Sequence, residues 1–231
     1  MNLSGKIVIL TGVSKGIGHA TARALLAKGA VVAGWGRTAP ADLQHERFQF
    51  IECDIRNEVA VQEAYVNTRR EVGEEIHVLI NNAGVGIMGP VDGFAADDWH
   101  TIFDTNVHGT FYCCRAVLPQ MKRQGQGHII NVASLAGTMG TENMAGYCAT
   151  KFAVRGFSEA LFKEVRQDGI KVTCVNPGSV ETNFNGATPG AEPNPHKLRA
   201  EDVAATIIHA LESPDGVLVS EVDVRPLRPK K

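Results

Sequence analysis

What most constrains this chain is an alternation between short aliphatic runs and longer stretches whose apolar residues recur at helical spacing. Ile7 to Leu10 reads IVIL. It is apolar at consecutive positions rather than at every second one, so both faces of that strand are expected to be buried. Ile17 to Lys28 follows, with Ile17, Ala20, Ala24 and Leu25 on one helical face and Gly29 as the stop. The pattern recurs along the chain. Further strands are expected at Val31 to Ala33, Phe48 to Glu52, Val78 to Asn81, His128 to Val132, Lys171 to Val175 and Val217 to Asp223. Helices are expected at Asn57 to Val72, Asp97 to Arg123, Tyr147 to Gln167 and Ala200 to Glu212. Buried strands joined by helices need right-handed crossovers. The expected architecture is therefore an α/β, doubly wound parallel sheet of about seven strands with helices on both faces.

No linker, repeat or shift in composition divides residues 1–231, which read as a single domain. One stretch departs from the pattern: residues 176–199 contain Pro177, Pro189, Pro193 and Pro195 and are too polar for a core helix. A long irregular segment inside a compact domain is expected to act as a lid over substrate. The 24 glycines follow no triplet period and 44% of the residues are hydrophobic, which excludes collagen-like and disordered classes. Lys and Arg total 23 against 25 Asp and Glu. That balance provides no field to recruit nucleic acid or an anionic membrane, so the expected partner is a small molecule. The five cysteines, Cys53, Cys113, Cys114, Cys148 and Cys174, form no C-x-x-C and no zinc spacing, and read as reduced packing residues. With no leader and no long apolar run, the expected location is cytoplasmic.

Thr11 to Gly18, TGVSKGIG, lies between the first strand and the first helix. Glycines there permit a sharp turn and close approach of backbone to a pyrophosphate, and the helix N-terminus offers free N–H groups. The spacing of Gly12, Gly16 and Gly18 is G-x-x-x-G-x-G rather than G-x-G-x-x-G. Gly12 to Gly16 also satisfies the nucleophile-elbow pattern G-x-S-x-G, with Ser14 as nucleophile, so a serine hydrolase is a second reading. Against it, only eleven residues precede Gly12, too few to supply the earlier loop that completes an oxyanion hole.

Tyr147 and Lys151 stand four apart on one face of an expected helix. An ammonium close to a phenol favours the phenolate. At an effective dielectric of ~20 the interaction at 4 Å is ~4 kcal/mol, enough to lower the phenol by as much as two or three units. Ser134, just beyond the strand His128 to Val132, stands where open sheets bind ligands and is placed to donate to a reacting carbonyl oxygen.

With these motifs in this order, the sequence resembles the short-chain dehydrogenase/reductase family over essentially its whole length. Thr11 to Gly18 resembles its T-G-x-x-x-G-x-G, Asn81 to Gly84 its N-N-A-G, and Pro177, Gly178, Val180 and Thr182 its P-G-x-V-x-T. The resemblance implies a Rossmann-like fold and hydride transfer between a nicotinamide and a carbonyl carbon. It implies a catalytic group of Asn106, Ser134, Tyr147 and Lys151. Tyr147 would protonate the oxygen, Ser134 would orient it, Lys151 would hold the ribose, and Asn106 would tie Lys151 to a proton-supplying water chain. The cofactor residues it implies are Gly12, Ser14, Lys15, Gly16, Ile17, Gly18, Gly36, Arg37, Asp54, Ile55, Asn82, Ala83, Gly84, Tyr147, Lys151, Pro177, Gly178, Val180 and Thr182, with Asp54 at the adenine.

In the family, an acidic side chain at the end of the second strand recognises NAD(H). Here Gly36 stands at that position, Arg37 follows it, and Lys15 lies in the glycine loop. Charge matching favours NADP(H), with NAD(H) the alternative. The substrate side is expected among Val85 to Pro90, Leu135 to Met144 and the lid. Val85, Ile87, Met88, Met139, Met144 and Phe184 make it mostly apolar, with Glu142, Asn143 and Asn183 adding polarity. The rival substrate is a 3-oxoacyl group on an acyl carrier protein, which Lys122 and Arg123 would meet. A non-catalytic NADPH-sensing module is the third reading. By resemblance the chain forms a homodimer or homotetramer on the helices of Asn106 and Tyr147. Its ending, EVDVRPLRPKK, departs from the family's glycine-rich one.

Overall fold

The computed structural model describes residues 1–182, 184 and 194–229. Seven strands form one parallel sheet: β1 (Ile7–Thr11), β2 (Val31–Gly36), β3 (Phe48–Glu52), β4 (Ile76–Asn81), β5 (Gly127–Val132), β6 (Ile170–Pro177) and β9 (Glu221–Val224), in the order β3-β2-β1-β4-β5-β6-β9. A short parallel pair, β7 (Val180–Glu181) and β8 (Leu198–Arg199), brackets the segment expected to be a lid. Asn183, Pro189 and Pro193 lie outside the described residues. The helices are α1 (Gly16–Ala27), α2 (Glu58–Val72), α3 (Ala96–Phe103), α4 (Gly109–Gln124), α5 (Ala145–Val165) and α6 (Ala200–Leu211).

Consecutive apolar residues in a strand must face opposite ways, and β1 shows the consequence. Ile7 and Ile9 enter a core with Trp35, Leu79, Ile129 and residues of α2, α4 and α5, while Val8 and Leu10 enter another with Leu25 of α1 and Val203 and Ile207 of α6. Each fully buried aliphatic side chain contributes about 1.5–3 kcal/mol, so two cores back to back explain why alternation is absent from the strands. The cysteines serve these cores: all five are free and buried. Burial pushes the Cys53 and Cys114 thiols up to about 12. Among the described residues no helix is long and apolar enough to cross a membrane.

Two expected elements differ. The helix read as Asp97 to Arg123 is interrupted at Asp104–His108 by a wide π turn between α3 and α4. Thr105 and Thr110 donate their hydroxyls to the carbonyls of Thr101 and Asn106, which competes with the main-chain ladder on both sides of the turn. The last strand begins at Glu221 rather than Val217. Val217 donates its N–H to Pro214 and its carbonyl accepts from the Ser213 hydroxyl, which closes a turn, and the Val219 carbonyl accepts from Thr173.

β1 has β2 on one side and β4 on the other, so the chain leaves their C-terminal ends in opposite directions and opens a crevice there. That crevice positions the site.

Candidate active site

The loop after β1 meets the loop after β4 through side chains. Thr11 accepts at its hydroxyl oxygen from the N–H groups of Asn82 and Ala83, at 3.0 Å each. Asn82 donates its amide to the carbonyls of Thr11 and Gly12 at 2.9 and 3.1 Å. Gly12 and Gly16 have φ of +74° and +60°, a region where other residues are strained. Gly18 has no room for a side chain, since a Cβ there would lie 2.0 Å from the Gly12 carbonyl oxygen. Lys15 precedes α1 without capping it through its side chain, and the first turn has no acidic residue. The free N–H groups and positive end of α1 therefore face the crevice, a fitted place for a phosphate. The glycine cradle fits a dinucleotide.

A cleft of about 1090 Å³ runs from this loop across the ends of β1, β4, β5 and β6. It is lined by Gly12, Ser14, Lys15, Gly16, Ile17, Gly36, Arg37, Asp54, Ile55, Asn82, Ala83, Gly84, Pro177, Gly178, Val180 and Thr182, together with Ser134, Tyr147 and Lys151. Gly18 is buried behind the loop and Asn106 is buried beside Gly84. Asp54 is paired with Arg56, Nη2 to Oδ2 at 2.5 Å. The hydrogen bonds from Arg56, with the guanidinium of Arg37 nearby, hold its carboxyl below the usual carboxylate range. Gly36 is not demanded by packing, because a Cβ there would meet nothing closer than 3.8 Å.

Ser134 begins a short 3-10 turn after β5, accepts from Ala136 N and donates to Pro177 O at a long 3.4 Å. Tyr147 and Lys151 are buried on the first turns of α5. The Lys151 ammonium donates to Val132 O at 3.0 Å and lies 5.8 Å from the centre of the Tyr147 ring. The expected lowering of the phenol is corrected here. Burial pushes Tyr147 up to about 12, opposed by the Ser134 hydroxyl, and burial brings Lys151 down to about 8. Loss of water around each group is the largest cause of both shifts. Asn106 spends its amide on Val85, accepting from its N–H and donating to its carbonyl at 2.9 Å each, and also donates to Thr150 at 3.1 Å. Thr150 in turn donates to the Tyr147 carbonyl. Asn106 therefore ties the loop after β4 to α5.

Of the segments expected on the substrate side, Val85, Ile87, Met88, Leu135, Thr141, Met144, Phe184 and Lys197 line the cleft, as do Thr101 and Thr105, which lie outside those segments. Thr101 and Thr105 are four apart on the helix that leads to Asn106, a spacing visible in the sequence but not distinctive. Met139, Glu142 and Asn143 do not line it. Asn143 instead takes a left-handed turn, φ 59°, that lets its carbonyl accept from Gly89. Asn143 is also the one positive-φ residue other than glycine among the described residues, so Ser14 lacks the strained turn of a nucleophile elbow. Ser14 makes no hydrogen bond to a histidine among them either.

Comparison with known proteins gives this geometry its context. The family model for short chain dehydrogenase matches residues 6–192. The chain belongs to that family. This short-chain dehydrogenase is 33% identical to an uncharacterized oxidoreductase of Staphylococcus aureus, over 97% of this chain and 99% of the relative, and 35% identical to one of Staphylococcus haemolyticus with the same coverage. An alcohol dehydrogenase from the archaeon Thermococcus sibiricus, complexed with 5-hydroxy-NADP, superposes with a TM-score of 0.90 at 26% identity, covering 99% of this chain and 100% of that one. The closed form of serine dehydrogenase complexed with NADP+ superposes with a TM-score of 0.88 at 30% identity, covering 96% and 95%.

Lys151 is the costly member of this short-chain dehydrogenase's site. A buried lysine whose pKa falls from 10.5 to about 8 carries a stability penalty that is fully present below pH 8 and fades as pH rises towards 10.5. Lys151→Met removes that penalty but loses the bond to Val132, worth about 1 kcal/mol. The variant is expected to be more stable than the parent by on the order of 2 kcal/mol at pH 7, with the gap closing by pH 10. Urea titrations at both pH values measure this, and equal midpoints at pH 7 would contradict it.

Proposed function

We propose that the protein is an NADP(H)-dependent reductase of ketones or aldehydes in which Tyr147 is the general acid. The observation that carries this reading is one cleft with the Ser134, Tyr147 and Lys151 set at its floor and the uncapped N-terminus of α1 at its other end. Lys15 and Arg37 line the cofactor end, no carboxylate stands at the end of β2, and the charge of Asp54 is taken up by Arg56. These residues suit a 2′-phosphate, and the two solved relatives described above carry NADP or an analogue of it. NADPH supplies a hydride to the carbonyl carbon when bound.

The residues of the chain do the rest. Tyr147 is a phenol, neutral at pH 7 and with its pKa raised further by burial, so it holds the proton that the reduced oxygen must take up. Ser134 can exchange its long bond to Pro177 for a shorter one to the substrate oxygen, which fixes the carbonyl beside the phenol. Lys151 supplies its ammonium to the ribose hydroxyls and Asn106 is a positioning residue, since its amide is engaged with Val85 and Thr150. The acyl-carrier reading draws no support from Lys122 and Arg123. They end α4 just before β5 begins, at the far end of the strand from Ser134, and Lys122 pairs with Asp168 at 3.5 Å. The expected self-association maps to α4 and α5, where Phe111 and Phe152 are exposed. The edge strand β9 carries Glu221 and Asp223, paired with Arg155 and Arg225, and charged edges resist further strand pairing. A homodimer fits both faces.

NADPH consumption across ketones, aldehydes, diketones and 3-oxoacyl thioesters tests the reading. Tyr147→Phe is expected to lower kcat by about 10²–10⁴ with NADPH binding retained. Unchanged turnover in that variant would remove Tyr147 from the chemistry, and NADPH binding with no turnover across the panel would favour the sensing module. Gly36→Asp has room for its side chain and is expected to move preference towards NADH by at least about tenfold in kcat/KM, through repulsion of the 2′-phosphate. Full retention of NADPH selectivity would refute the phosphate assignment. In sedimentation analysis Phe111→Glu with Phe152→Glu is expected to shift a dimer to monomer, and a wild-type monomer would end the dimer proposal.

A further inference from the structure

The two ends of the cleft differ in chemistry. Its charged side chains cluster at the glycine loop and at the ends of β2 and β3, as Lys15, Arg37, Asp54 and Arg56. The rest of the described lining is mostly aliphatic, thioether, aromatic and hydroxyl-bearing, with Lys151 and Lys197 as its charged side chains. Phe184 is the distinctive part of it. A Cβ on Gly86 would lie 2.5 Å from Cε1 and 2.9 Å from Cζ of the Phe184 ring, so the ring rests directly on glycine backbone. The same ring stands 6.0 Å from the Tyr147 ring, centre to centre, at 57°. Phe184 and Met88 remain 38% and 45% exposed, which leaves apolar surface open beside the reacting position.

Resting on the reductase reading above, we propose that the substrate is an uncharged carbonyl compound with an aryl group next to the carbonyl, and that Phe184, seated on Gly86, selects it. A flat substituent on the carbonyl carbon covers the exposed ring while the oxygen reaches Tyr147 and Ser134, and aromatic pairs at such spacing gain more than their buried area alone provides. A carboxylate set against the Phe184 ring loses water and finds no hydrogen-bond donor on that ring or on the Met88 side chain. The Lys151 ammonium is shared between Val132 O and, in the reading above, the ribose hydroxyls, and Lys197 stands immediately before β8.

The test uses the full-length protein with NADPH and a matched set of carbonyl compounds: methyl phenylglyoxylate, phenylglyoxylate and methyl pyruvate. Wild type is expected to prefer methyl phenylglyoxylate over its free acid by at least about tenfold in kcat/KM. Phe184→Ala is expected to raise KM for methyl phenylglyoxylate by about five- to tenfold, and to raise it less for methyl pyruvate, which has no ring to stack. Gly86→Ala is expected to reproduce that selective rise by displacing the ring, and the double variant to be no worse than Phe184→Ala alone, because removing the ring frees the space that the new methyl needs. A preference for the free acid overturns the proposal, and so does an equal rise in KM for both esters in Phe184→Ala. Should Gly86→Ala not fold, the Phe184→Ala comparison decides by itself. Failure of the reductase reading is distinct: none of the three compounds, nor any other carbonyl compound, is then turned over although NADPH binds.

Discussion

The site depends on one small set of hydrogen bonds, those that join Thr11 and Asn82 across the crevice between β1 and β4. At this point the chain has just left two neighbouring strands in opposite directions, and nothing in the sheet itself holds the two loops in register. Thr11 offers one oxygen to two N–H groups, and Asn82 returns one amide to two carbonyls. Every polar group of the two diverging turns that they touch is satisfied by the other turn. The loop can then leave its remaining N–H groups at the start of α1 for a ligand, because its own fold does not need them. Glycine at 12, 16 and 18 is the steric condition for that arrangement rather than its cause.

The second organising constraint is burial of charge. Lys151 lies inside the protein with a main-chain acceptor in Val132, and the same lack of water raises the phenol of its neighbour Tyr147. Such a pair costs folding free energy and is retained where chemistry requires it. Its surroundings are correspondingly rigid. Asn106 clamps Val85 on one side and Thr150 on the other, and a π turn gives α3 and α4 the extra width that brings Asn106 to this position. Wide turns of this kind are common at functional sites.

Most of this was legible in the sequence where the signal is local. Unbroken aliphatic runs such as Ile7 to Leu10 announce strands buried on both faces, and the seven-stranded sheet follows from their repetition. The glycine loop, the Tyr147–Lys151 spacing and Ser134 just past a strand end are equally local, and the fold brings them into one cleft. What escaped depends on contacts between distant residues. The partners of Asn106 lie 21 and 44 residues away, the seat of Phe184 is a glycine nearly a hundred residues earlier, and no periodicity encodes either. The sign of the Tyr147 shift escaped for a different reason. Charge proximity is visible in an i, i+4 pair, whereas the depth at which the fold buries that pair is not.

The two hydrophobic cores bear on how such a protein can diversify. The core on one face holds α1, which follows the glycine loop, and α6, which follows β8, while the other core holds α2, α4 and α5. The sheet lies between them. A change of volume in one is absorbed by helices that do not touch the other. Substitutions in one core therefore act first on the helices of that face, and the two halves are coupled at the strand ends, where Phe184 stands 6.0 Å from the Tyr147 ring of α5.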